Sequence, residues 1–264
     1  MMPVKKADII AQLQTDILRL QGFKNTSNAA VDIRLGPIKD CFPNGTFPLG
    51  AVHEFLSVGK ENATATSGFI AGLLTPLMGN NRTSLWISSS RTLFPPALKS
   101  FGLQPDRFIF IDLQKEKDII WAMEEGLKCG ALAAVVAEIQ DITFTASRRL
   151  QLAVEQSQVT GFILRQNPRK LNPTACISRW KITTLPSMPI DPDTYRDGID
   201  NMPGVGFPQW RVELLRIRNG KSGVWDIMWM NGNFHSVYKN SDSLDLPDYN
   251  TSLTPTVSPL GKAG

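Results

Sequence analysis

The chain has little with which to build a metal centre or a disulfide framework. Three cysteines, Cys41, Cys129 and Cys176, lie far apart without a CxxC pair, and His53 and His235 are the only histidines. Paired disulfides, a His-based zinc site and a Ser-His-Asp triad therefore have no support. Long apolar runs are missing as well: "ALAAVVA" (131–137) and the Gly- and Pro-broken "FIAGLLTPLM" (69–78) fall far short of the roughly 18 residues a membrane span requires. The opening "MMPVKKADII" lacks the apolar core of a secretory signal, so a reducing cytosol is the expected compartment. No metal, no cofactor and no membrane contact are expected.

What is present is enough for a large core: 264 residues, 42% of them apolar. The net charge is only +4, but Ser147 to Lys181 holds seven Lys/Arg against the single acid Glu155. Within it Arg148, Arg149, Arg165, Arg169 and Lys170 are candidate contacts for a nucleic acid or an acidic partner. A solvated positive face is the plain alternative. Arg148 and Arg149 are expected in the first turn of a helix at 147–158, a poor place for cations relative to the helix dipole. Arg165, Arg169 and Lys170 follow the C-terminal end of a strand, the edge where open α/β sheets bind ligands, with Glu138 and Asp141 as available internal partners.

Strands and helices alternate along the chain. "TFPLGAVHEFL", "SLWISSS", "RFIFIDL", "ALAAVVAEI" and "VTGFILR" read as strands, with helices expected at 93–103, over "KDIIWAMEEGLKCG" and at 147–158. Short alternation of this kind predicts a mostly parallel sheet with helices on both faces. Beyond Asn167, "ACISRWKITTLP" and "QWRVELLRIRNGKSGVWDIMWMNGNF" predict an antiparallel extension, separated by an acidic, Pro/Gly-rich loop. An amphipathic helix from Lys6 to Gly22 stands apart at the front. Its stripe, including Leu13 and Ile17, packs either on its own domain or on a partner. Trp210 and Arg211 pose the same choice between core and interface anchor. The expected division is 1–40 for the leading helix and connector, 41–239 for the α/β domain and 240–264 for a disordered tail.

The stretch "GAVHEFLSVGKENATATSGFIAGLL" (50–74) has the order of a phosphate-binding loop: strand, small-residue turn with a Gly-Lys pair, helix. A loop of the form G-x-x-x-x-G-K-[ST] set on Gly59-Lys60 needs Gly at 54 and Ser or Thr at 61, where Glu54 and Glu61 stand. Setting the first position of the motif on Ser57 instead places Asn62, Ala63 and Thr64 where Gly, Lys and Ser/Thr belong, and only Thr64 fits. Without the lysine and the glycines, β and γ phosphates lose their cation and their ring of backbone N–H groups. Weak anion binding at the helix N-terminus is all that Ser57, Gly59, Lys60, Asn62, Ala63 and Thr64 are expected to support.

The stretches "LFPPALKSFGL", "PDRFIFIDL", "WAMEEGLKCGALAAVV", "ASRRLQLAVEQS" and "VTGFILR", with "PLGAVHEFL" before them and "WRVELLRIRNGKSGVWDIMW" after, resemble the RecA core fold. They are more closely similar to the ImuA family, RecA-related accessory proteins of bacterial mutagenesis cassettes. The resemblance spans about residues 45–238. It implies a RecA-like α/β core from which the ATPase residues are gone. Ser88, Ser89 and Ser90 stand where the catalytic glutamate is expected, Glu138 where the Walker B aspartate is, and Arg165 where a glutamine senses the γ-phosphate. The segments after Glu138 and Arg165 are shorter than RecA's two DNA-binding loops. The implied role is a non-catalytic adaptor of the SOS mutasome in error-prone translesion synthesis. The implied partners are an ImuB-like Y-family polymerase homologue, an error-prone replicative-type polymerase and RecA. Two other readings stay open: an NTPase with a non-standard loop using Lys60 and Glu138, and a SulA-like cell-division inhibitor.

Overall fold

The computed structural model describes residue 13 and residues 32–79, 81–90, 92–189 and 206–237. The leading helix beyond Leu13, the acidic loop and the expected disordered tail lie outside the described residues. Leu13 is helical and 54% exposed.

Among the described residues nine strands form one sheet: β1 (Val52–Ser57), β2 (Thr83–Ser88), β3 (Phe108–Asp112), β4 (Leu132–Ile139), β5 (Thr160–Gln166), β6 (Ser178–Pro189), β7 (Gly206–Ile217), β8 (Gly223–Met230) and β9 (Asn233–Ser236). Their order is β3-β2-β4-β5-β1-β6-β7-β8-β9. Pairing is parallel from β3 through β6 and antiparallel from β6 through β9. β4 is buried at every position, as a continuous apolar strand between two helical layers must be.

One layer is the helix α1 (Lys60–Met78). Its small residues let it lie close to the sheet, where Phe55, Phe69, Trp180, Trp210 and Phe234 form an aromatic core. The rings of Phe55 and Trp180 stack at 5.9 Å and 7°. The other layer is α2 (Glu116–Lys128) and α3 (Phe144–Ser157), burying Ile119, Met123, Leu127, Leu150 and Val154 against the opposite face. Gly72 marks how tightly α1 meets the antiparallel end, since a Cβ there would lie 2.5 Å from Phe234 Cζ. Gly72→Ala is expected to cost about 1–3 kcal/mol through overpacking, read as a lowered urea midpoint. An unchanged midpoint would mean that β9 shifts freely.

Three expectations need correction. Residues 93–103 contain no α-helix: Pro95–Phe101 is a 3-10 segment, because two prolines remove its first N–H donors, and Gly102 at φ 77° closes it. α3 begins at Phe144, not at 147, because Thr143 caps it by accepting a hydrogen bond from the Ala146 N–H at 3.1 Å. Arg148 and Arg149 therefore lie beyond the first turn, and the argument from their misplacement against the dipole falls away. The short strand β9 was not anticipated; it completes the edge through pairs such as Trp229 with Phe234.

Candidate functional site

The site where a phosphate loop would sit is built by the ends of β1, β4 and β5 and the start of α1. Only Val58 and Gly59 separate β1 from α1. Gly59 takes φ 82°, which a glycine adopts without strain, and the helix opens at Lys60. Asn62, Ala63 and Thr64 are thus the first turns of a helix rather than parts of a loop. The Gly59 N–H donates to Asn167 Oδ1 at 2.8 Å. Asn62 Nδ2 donates to the Val58 carbonyl at 2.8 Å, and its Oδ1 accepts from the Thr184 N–H at 3.1 Å. Thr64 Oγ1 turns back to the Lys60 carbonyl at 3.0 Å, and Ser57 Oγ to that of Arg165 at 3.3 Å. Lys60 and Glu61 are exposed. The connection is two residues long, and its Gly59 N–H already has an acceptor.

Glu138 is buried near the end of β4. Its Oε1 accepts from Trp86 Nε1 at 2.7 Å; its Oε2 accepts from Gln166 Nε2 at 2.9 Å and Thr92 Oγ1 at 3.3 Å. Burial raises its pKa above the usual carboxylate value, while the three donors pull it back. Both oxygens are engaged by protein donors, three in all. A polar hollow of about 250 Å³ lies beside it, lined by Ser89, Glu116, Gln140, Gln166 and Asn167.

Beside the start of α1 opens a larger, mostly apolar cleft of about 720 Å³, with Thr64, Gly68, Phe94, Phe101 and Trp210 in its walls and Lys60 at its rim. Its size suits a small molecule or an anchoring side chain. Among the described residues no group of three or more His, Cys, Asp or Glu is placed to hold a metal ion. No described helix is long and apolar enough to cross a membrane.

The sequence-derived cations divide sharply. Arg165 is fully buried and spends its guanidinium internally: Nη1 on Glu54 Oε1 at 2.8 Å, Nη2 on Asp141 Oδ1 and the Lys170 carbonyl at 2.8 Å each, and Nε on the Gln140 carbonyl at 3.2 Å. As a contact for nucleic acid or a partner it is corrected to a structural residue. Glu54 Oε2 in turn accepts from Arg179 Nε at 2.7 Å and Thr174 Oγ1 at 2.8 Å. Arg149 pairs with Glu124 at the surface. Arg148, Arg169 and Lys170 are exposed.

Trp210 is 3% exposed and stacks on Phe101, so it is a core residue and not an exposed anchor. Arg211, on the other face of β7, makes a two-point pair with Asp226 at 2.8 and 2.9 Å. Ile17 lies outside the described residues. His53 sits in β1 as expected, with Nδ1 2.7 Å from Ser178 Oγ and Nε2 2.8 Å from the Pro48 carbonyl. Asn167 escaped the sequence reading, although an Asn directly after a strand is the residue type that accepts a left-handed turn; here its φ is 49°. It ties Gly59, just before α1, to the end of β5, and its carbonyl accepts from Gln140 Nε2.

No protein-family model matches the chain. It is 26% identical over 144 residues to the cell division inhibitor SulA of Serratia marcescens, covering 50% of this chain and 85% of that protein. The SulA of Yersinia pestis (strain Pestoides F) is 27% identical over 128 residues, 48% of this chain and 75% of its own length. Protein ImuA of Caulobacter vibrioides (strain NA1000 / CB15N) is 34% identical over 200 residues, 71% of this chain and 78% of that protein. Identity at that level over most of both chains means that the protein described here belongs to the ImuA family.

Proposed function

We propose that the protein is a non-catalytic, cytosolic adaptor with a RecA-like core that supports error-prone translesion synthesis in the SOS response through protein-protein contacts. Its partners on this reading are an ImuB-like Y-family polymerase homologue, an error-prone replicative-type polymerase and RecA. Family membership supports the setting. The observation that carries the non-catalytic part is the two-residue link between β1 and α1, whose Gly59 N–H is held by Asn167 where a nucleotide enzyme presents free N–H groups. The three protein donors that already hold Glu138, from Trp86, Thr92 and Gln166, are consistent with the same reading.

Purified protein is expected to turn over ATP no faster than buffer, with magnesium and with or without single-stranded DNA, and Lys60→Ala and Glu138→Gln are expected to change nothing. Deleting the chain is expected to bring damage-induced mutagenesis down to the spontaneous level. Magnesium-dependent hydrolysis abolished by either substitution would establish the NTPase alternative instead. The similarity to SulA across half the chain favours a second reading, inhibition of cell division. Filamentation on overexpression, with damage-induced mutagenesis unaffected by deletion, would select it.

A further inference from the structure

The segment after β4 and the segment after β5 are joined into one rigid surface. Asp141 Oδ1 accepts from Arg165 Nη2 at 2.8 Å and from the Arg169 N–H at 3.2 Å. Asn172 Nδ2 donates to the Ile142 carbonyl at 2.7 Å, and the Ala175 N–H to Ser147 Oγ at 3.0 Å. Gln140 Nε2 reaches the Asn167 carbonyl at 3.1 Å, while Arg165, fixed below on Glu54, holds the Lys170 carbonyl. These bonds tie the two segments together and leave a particular set of side chains facing water. Phe144 is 50% exposed and Leu171 63% exposed. Arg148, Arg169 and Lys170 are exposed and make no side-chain hydrogen bond or ion pair among the described residues.

Three acids of the adjoining segments are already engaged. Asp141 is bound to Arg165, Glu124 to Arg149 and Lys128, and Glu116 Oε1 accepts the Gln140 and Asp141 N–H groups. A surface held rigid in advance, with two large apolar side chains and three cations exposed on the same two joined segments, is the pattern of an interface: apolar anchors supply affinity, and complementary charge supplies steering and register.

We propose that Phe144 and Leu171, with Arg148, Arg169 and Lys170 exposed on the same two joined segments, form a docking surface for an acidic segment of a partner protein that carries its own aliphatic or aromatic anchor. Charge complementarity selects an acidic occupant. Leu171, an aliphatic side chain without a π face, and Phe144 as the single aromatic ring of this five-residue set favour a peptide over a stacked single strand. The inference rests on the binding role proposed above and places one contact of that role.

The test installs the photo-crosslinker p-benzoylphenylalanine at position 144, and separately at 171, of the full chain in its own cells after DNA damage. Both positions are solvent-exposed, so the fold is expected to hold, and a thermal melt of each variant checks this. Crosslinks are expected to map onto a protein segment rich in Asp and Glu. The yield is expected to fall about tenfold when Arg148, Arg169 and Lys170 are all replaced by Glu, as for loss of a charge-steered contact. Nuclease-sensitive adducts would identify the occupant as nucleic acid and overturn the proposal. Crosslinks confined to this chain, no crosslinks at all, or a yield unchanged by charge reversal would overturn it too. Any of these, with deletion still abolishing induced mutagenesis, would leave the adaptor role standing and remove only this surface.

Discussion

Arg165→Met is expected to lower the unfolding free energy by about 3–5 kcal/mol, because it removes one partner of a fully buried ion pair and leaves the other charge in place. Glu54 and Arg165 are both inaccessible to solvent and meet at 2.8 Å between adjacent strands β1 and β5. Met matches the arginine stem in length but supplies none of its donors. The Gln140 and Lys170 carbonyls then lose this donor, Asp141 keeps the Arg169 N–H, and Glu54 keeps only Arg179 and Thr174. Urea unfolding of wild type and variant at matched m-value measures the effect. Adding Glu54→Leu should recover part of the loss, since it removes the stranded carboxylate. A variant within about 1 kcal/mol of wild type would place the pair among ordinary surface bridges and contradict the geometry.

Acid is expected to destabilise the protein through His53, the second large effect. Burial lowers the His53 pKa from 6.5 to about 3, against a weaker opposing effect of its hydrogen bond to Pro48. In the unfolded chain the ring titrates near 6.5, so between these values the unfolded state binds the extra proton. The stabilisation is complete above about pH 6.5 and drains away as pH falls towards 3. At pH 4.5 two units of that window have been crossed, worth about 2.7 kcal/mol at 1.36 kcal/mol per unit. Glu138 acts with the opposite sign: its raised pKa makes the folded state the better proton acceptor, so acid favours folding there. The difference between wild type and His53→Gln isolates the histidine. The wild-type melting temperature should fall more steeply from pH 7 to pH 4.5 than that of the variant. Parallel slopes would mean that the folded ring accepts its proton in place.

Much of this architecture was legible in the residue pattern. Apolar runs such as "ALAAVVAEI" have a single physical reading in an alternating chain, and Ile119, Met123 and Leu127 point one face of α2 inward by spacing alone. The antiparallel end followed from the alternation around "RNGKSG". What stayed hidden depends on residues meeting from afar. Glu54 and Arg165 stand 111 positions apart, and nothing local marks either as buried. The two-residue link before α1 was masked by testing for a loop when the chain continues directly into a helix. The α3 start was misplaced because Thr143 was overlooked as a cap, which in turn put Arg148 and Arg149 one turn too early.

The position of β1 also shapes how the protein is made. It lies between β5 and β6, whose residues come more than a hundred positions later: His53 aligns with Phe162 on one side and with Ser178 on the other. At a synthesis rate of about 5–20 residues per second, this strand leaves the ribosome several seconds before either neighbour exists. Until then its six residues, Val52, Phe55 and Leu56 among them, remain without sheet partners, so the nascent chain carries an unpaired strand until its second half arrives.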